Sequence, residues 1–182
     1  MDKTSLSKAG HYEIQGETIA KFEFFENGFS PYSRYLDVDK VDLILRKREK
    51  DFVRYIEVQV KYGRLYDCKE RWSSQLFDVT CWKMFRVDEF KEIRPNLFVA
   101  VALAHPKGYQ GDLFIFPSAI FHHLISLGIP VNTKTGKRSK FYIARSIVNG
   151  NWYLWRKWNF KEITEDTAFD VTQYRRNFGF TQ

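Results

Sequence analysis

The chain has 182 residues, 44% hydrophobic and 18% aromatic, with 29 Lys and Arg against 22 Asp and Glu. That length suits one domain, 1–182, with a real core, and the net charge of +7 suits a polyanionic partner. No stretch approaches the length of a membrane span, and two cysteines, Cys68 and Cys81, make neither a disulfide framework nor a zinc motif.

Residues 1 to about 9 are small and polar and are expected to fray. MDKTSLSKAG has no apolar run behind its charges, so no signal peptide is expected and the default compartment is cytoplasmic. From His11 to Asn27 the apolar spacing is helical, with Ile14, Ile19, Phe22 and Phe24 or Phe25 forming a stripe. Gly16 is a mild defect in that helix or marks a later start. Asn27-Gly28 is a C-terminal stop, with Gly28 free to take positive φ.

Phe29 to Leu36 reads as extended. Val41 to Arg46 is a short apolar strand carrying Asp42 near its start. Phe52 to Lys61 alternates like a half-buried strand. Ile56, Val58 and Val60 point to a core, and Glu57, Gln59 and Lys61 share the other face. A hairpin folded about residue 49 places Asp42 opposite Glu57. A solvated sheet face with ordinary polar residues would read the same way.

Tyr62 to Arg94 is basic and aromatic, and two readings stay open. Trp82, Phe85, Phe90 and Ile93 allow a helix, while Trp72 to Thr80 could be extended. Its cations, Arg64 among them, suit a nucleic-acid surface or a partly buried helix with snorkelling side chains. Leu97 to Ala104 is a continuous apolar run, the mark of a central strand buried on both faces. Asp112 to Phe116 is a further strand. A helix opens at Pro117-Ser118 and stops at Gly128. Its His122 and His123 read as structural or solvent-facing, because spacing supplies no third metal ligand.

Val131 to Lys140 is expected to be a polar loop. Its Lys134, Lys137, Arg138 and Lys140 either contact phosphate or are simply solvated. Phe141–Val148 and Trp152–Trp158 flank Asn149-Gly150, a type I′ hairpin signal. A short helix is expected near Asp170 to Arg176. There is no repeat, low-complexity segment or linker.

Asp42 followed by Glu57-Val58-Gln59-Val60-Lys61 resembles the PD-(D/E)XK nuclease superfamily. That family places an Asp at a strand start, then an acid or Gln and a Lys two apart on the next strand. Gly16-Glu17-Thr18-Ile19-Ala20, then Phe24-Phe25 and Gly28-Phe29, resembles the helix that opens several of its families. Two departures stand out: Val41 precedes Asp42 where the family has Pro, and Gln59 stands where an acid is usual. Gln-x-Lys is found in homing-endonuclease-like and Holliday-junction-resolvase-like branches.

The resemblance implies an α/β (α+β) fold, a restriction-endonuclease-like mixed sheet flanked by helices, with an added C-terminal β-hairpin. It implies a Mg²⁺-dependent endonuclease, with Mn²⁺ able to substitute, acting on double-stranded or branched DNA in restriction, homing or junction resolution. Asp42, Glu57, Gln59 and Glu17 would hold the metal, with Glu13 in reserve for Glu17, and Lys61 would complete the catalytic set. Arg64, Lys134, Lys137, Arg138 and Lys140 are the candidate DNA contacts, and a homodimer is one compatible assembly. If Gln59-x-Lys61 is the family pair, Glu57 is an outer ligand; if Glu57-x-Gln59 is, Lys61 is peripheral. The competing readings are a catalytically inactive nucleic-acid-binding module and a subunit of a restriction or defence assembly.

Overall fold

The computed structural model describes residues 3–33, 40–134 and 136–180, and for residues 3–9 the backbone only. The elements run α1 (Lys3–Glu26), β1 (Ser30–Ser33), β2 (Leu43–Arg48), β3 (Val53–Arg64), β4 (Tyr66–Asp67), β5 (Phe77–Arg86), β6 (Leu97–His105) and β7 (Gly108–Pro117). Then come α2 (Ser118–Leu127), β8 (Ile129–Thr133), β9 (Gly136–Ser146), β10 (Trp152–Trp155) and β11 (Ala168–Asp170). The fold is mixed α+β, with one mixed sheet and one antiparallel sheet.

The first sheet has the order β1-β2-β3-β6-β7, and only its β3–β6 pair is parallel. The apolar run LFVAVALA becomes β6, its fourth strand, buried from Leu97 to Ala104. Strand alternation splits its side chains between two cores. On one face Phe98, Ala100 and Ala102 join Val58 and Val60 of β3 under Ala20 and Phe24 of α1. On the other, Val99, Val101 and Leu103 pack with Phe121 and Leu124 of α2 and with Cys81, Phe85 and Phe141 of the second sheet.

That second sheet has the order β11-β10-β9-β5-β4, with β8 paired to the first half of β9. It packs closely on the first: a Cβ on Gly63 of β3 would lie 2.5 Å from Cys81 Sγ. The C-terminal hairpin is therefore no appendage. It is part of a sheet that, with α2, covers the face expected to carry helices.

Several elements differ from the sequence expectation. The helix starts at Lys3 rather than His11, because no proline lies between them and small polar residues tolerate helical backbone. Strand β1 is described from Ser30 to Ser33, and the expected continuation through Leu36 lies outside the described residues. Trp82 to Arg86 is strand, not helix. Cys81 and Phe85 are buried while Trp82, Met84 and Arg86 are exposed, a period of two that a buried sheet face rewards. Only Val87–Phe90 turns, as a short 3₁₀ segment.

Val131 to Lys140 is not a loop either; apart from Lys134, and Thr135 outside the described residues, it forms the β8–β9 hairpin, anchored by buried Ser139, whose hydroxyl donates to Ile125 O. The β9–β10 hairpin keeps Gly150 at φ 74° but closes with a four-residue loop, since Ser146 N–H already donates to Asn151 O. The helix expected at Asp170–Arg176 shrinks to a 3₁₀ turn, Thr172–Tyr174. Arg175 and Arg176 then leave it to reach two buried acids, Asp112 at 2.9 Å and Glu23 at 2.9 Å. Among the described residues, no helix is long and apolar enough to cross a membrane.

Candidate active site

The site forms where β3 outruns its neighbour. Strand β2 pairs with β3 as far as Leu43↔Val58, whereas β6 follows the other edge to Arg64. Among the described residues, one edge of β3 has no strand partner from Gln59 onward. Side chains take its hydrogen-bonding groups instead. Val60 N–H donates to Asp42 Oδ2 at 2.5 Å, and Lys83 Nζ of β5 donates to Tyr62 O.

The register corrects the expected pairing. Ile44, not Asp42, lies opposite Glu57. Asp42 donates its own N–H to Val58 O at 3.0 Å, so its carboxylate comes level with Gln59. The expectation failed because the turn is at Lys50–Asp51, where Glu49 N–H donates to Phe52 O; this moves the fold of the hairpin by one residue and the pairing by two.

Gln59 is buried, 6% exposed, and lines a cavity of about 180 Å³ with Lys40, Glu89, Phe90 and Leu97. Lys61 follows two residues on, half-buried, its Nζ 5.8 Å from the Phe90 ring centroid. Asp42, Gln59 and Lys61 are thus brought together.

Glu57 is on the same face but is engaged elsewhere. Arg94 Nη1 lies 2.8 Å from its Oε2, a close ion pair without hydrogen-bond alignment. Glu17 pairs with Lys21 on its own helix at 3.2 Å. The reserve residue, Glu13, is the one whose charge reaches Lys83 across the open edge.

Two residues near the site were not singled out from sequence. Lys83 projects inward between Cys81 and Phe85 on β5, and its pKa is lowered by burial first and by the charge of Lys61 second. Glu89 enters on the 3₁₀ turn and lines the Gln59 cavity. The alternation Cys81-Lys83-Phe85 was the available signal for Lys83. It was masked because the helical spacing of Trp82, Phe85 and Ile93 fits the same residues.

Of the expected DNA contacts, Arg64 ends β3 at this edge, and the other four belong to the β8–β9 hairpin. Arg64 is bound to Tyr12 OH at 3.2 Å beside a cleft of about 530 Å³. Lys140 sits on the outer face of the second sheet, 4.8 Å from the Tyr142 ring centroid and 5.0 Å from that of Trp82. Arg138 shares that outer side by alternation, while Lys134 and Lys137 are exposed at the β8–β9 turn. His122 Nδ1 bonds Phe90 O at 2.8 Å, a structural contact.

Among the described residues no group of three or more His, Cys, Asp or Glu is placed to hold a metal ion. What remains is a sparse set of hard oxygens: the Asp42 carboxylate and the Gln59 amide. That set fits Mg²⁺, which keeps several waters and takes only one or two carboxylates together with phosphate oxygens. No family model matches the chain, and no curated protein or solved structure matches it.

Proposed function

We propose that this chain is a Mg²⁺-dependent DNA endonuclease of the PD-(D/E)XK type, working in the cytoplasm. The observation that supports it is the register that sets Asp42 level with Gln59, two residues before Lys61, where β3 has no strand partner among the described residues. Asp42 and Gln59 would hold the ion. When bound, Mg²⁺ supplies Lewis-acid stabilisation of phosphoryl oxygens and acidifies bound water.

Lys61 has the remaining task. Among the described residues its ammonium makes no ion pair, only the contact with Phe90. It can orient the attacking water or offset charge building on phosphate. The family pairing Gln59-x-Lys61 is therefore preferred over Glu57-x-Gln59, since Glu57 is held by Arg94. The net charge of +7 supplies attraction to DNA.

The test is cleavage of plasmid and branched DNA with and without Mg²⁺. The wild type should cut only with metal, and Lys61→Met should bind DNA without cutting. Equal cutting by Lys61→Met would remove Lys61 from catalysis and favour the Glu57-x-Gln59 alignment. A second reading, an inactive DNA-binding module, is favoured by Gln59 standing where the family usually has an acid, which leaves the cavity it lines one carboxylate short. DNA binding with no cleavage under any divalent metal would select it.

A further inference from the structure

We propose that Lys83 and Lys61 together form one anion seat, which takes a phosphate group, with Lys83 reaching it from the second sheet. The assignment of that phosphate to a DNA backbone rests on the nuclease reading; the seat itself does not.

Lys83 belongs to the inner face of β5, between buried Cys81 and Phe85. Its stem runs through the apolar space between the sheets, where it lines a narrow gap with Val101, Leu103 and Ile143. Its ammonium emerges at the open edge of β3 and donates to Tyr62 O. An ammonium has three donors, so that bond leaves two. Lys61 precedes Tyr62 on β3 and points to the same side of the sheet as Lys83.

Neither ammonium makes an ion pair among the described residues. The carboxylates whose charges reach Lys83 are Glu13 from α1 and Glu89 from the 3₁₀ turn, and both act without contact. Lys83 at Tyr62 O and Lys61 beside Phe90 are thus two like charges on one side of β3, within reach of each other and partly shielded from water. Burial and Lys61 both press Lys83 toward its neutral form. With no carboxylate in contact with either ammonium among the described residues, the pair is under-neutralised. A phosphate oxygen between them would offset the repulsion and accept charge-assisted hydrogen bonds from both.

Lys83 is more than a tie between sheets on this view. The Tyr62 carbonyl bond fixes its head group, and Asp42 fixes the same edge two residues earlier through Val60. The seat is thus held in register with the Asp42–Gln59 oxygens.

The seat is read directly from the lysines of the full chain. Protein carrying ¹³C-labelled lysine is titrated with inorganic phosphate, with potassium chloride at matched ionic strength as control. The Cε resonances of both Lys61 and Lys83 should shift saturably with phosphate and not with chloride. In Lys83→Met, checked for native circular dichroism, the Lys61 response should weaken at least several-fold. A second arm measures duplex DNA binding by fluorescence anisotropy without divalent metal across a salt series. There the Lys83→Met slope of log K against log salt should be shallower by about 0.9, one phosphate contact.

Phosphate shifts together with the shallower DNA salt slope of Lys83→Met assign the seat to a nucleic-acid backbone; phosphate shifts with an unchanged slope support the seat and assign it to a free phosphoanion. No Lys83 shift with phosphate and no change of salt slope in Lys83→Met overturns the proposal and leaves Lys83 as a cross-sheet tie. A lysine response without Mg²⁺-dependent cleavage sinks the nuclease reading and spares the seat. Cleavage without a lysine response does the reverse.

Discussion

The Val60 N–H donates to the Asp42 carboxylate at 2.5 Å. A candidate metal ligand is therefore also the cap of the strand that carries Gln59 and Lys61. The two roles separate by substitution. Asp42→Asn keeps an oxygen acceptor and loses the charge, whereas Asp42→Ala strands a backbone donor. Asp42→Ala should cost about 1–3 kcal/mol, the penalty for an unmatched polar group, and Asp42→Asn clearly less. Both should lose the calorimetric heat of Mn²⁺ binding. Denaturant unfolding beside Mn²⁺ titration checks this, and a wild-type Mn²⁺ isotherm in Asp42→Asn removes the carboxylate from the metal site.

Helix α1 lies so close to β3 that a Cβ on Gly16 would come 2.9 Å from Tyr62 Cβ. Alanine at this position would gain up to about 1 kcal/mol of helix propensity. Overpacking against a backbone-proximal atom costs about 1–3 kcal/mol, and the neighbour here has no flexible end to move. Gly16→Ala is therefore expected to lower stability by about 1 kcal/mol, with a fall in Tm. Because Tyr12 stacks on Tyr62 at 5.5 Å beside the open edge, the helix shift should also change tyrosine fluorescence. An unchanged or higher Tm would show that α1 can retreat freely.

Both cysteines are free, and burial pushes their thiols up, Cys68 to about 11 and Cys81 to about 12. A raised thiol pKa means less thiolate at neutral pH than the ordinary value of 9.0 gives. Reaction needs thiolate, so labelling with a disulfide reagent should be slow at neutral pH. Cys68, which is partly exposed, should label in the native state, at a rate rising steadily with pH towards about 11. Cys81 should label only as fast as the protein opens, since it is 4% exposed. Two equally fast native-state thiols would contradict the packing of β5 against Gly63.

The legible parts of the fold were those decided by one strong local pattern. LFVAVALA reads as a strand buried on both faces and is one, and the alternation from Ile56 to Lys61 assigned Ile56, Val58 and Val60 to a core, but the face of Glu57, Gln59 and Lys61, expected to be exposed, buries Gln59. Gly28 ended its helix at φ 81° as expected. The register of Asp42 was not legible, because both polar residues of the turn could sit at its corner and each choice shifts the pairing by whole residues. Gly16 looked like a helix defect because its reason, Tyr62, is far away in sequence. The second sheet was hidden for the same cause. Its strands come from 66–86, 129–146 and 152–170, and Lys83 acquires meaning only when β5 is laid across β3.

Gln59 is the departure that decides how the site works, and its replacement by the commoner acid gives a signed prediction. Gln59→Glu places a second carboxylate in a buried position level with Asp42. Burial and a neighbouring like charge both raise a carboxyl pKa, so the new group should titrate above the ordinary value of about 4.3. A raised pKa penalises the charged form in the folded state. The variant should match the wild type below about pH 4.3, then lose stability relative to it as pH rises through the raised pKa. The loss should persist at neutral pH. A divalent cation held between the two carboxylates removes that repulsion, and anything that binds only the folded state raises its stability. Mg²⁺ or Mn²⁺ should therefore lift the Tm of Gln59→Glu more than that of the wild type, and cleavage should be retained. The check is a grid of Tm against pH with and without metal for both proteins. If Gln59→Glu shows no pH-dependent loss and no added metal response, Asp42 and Gln59 do not share an ion.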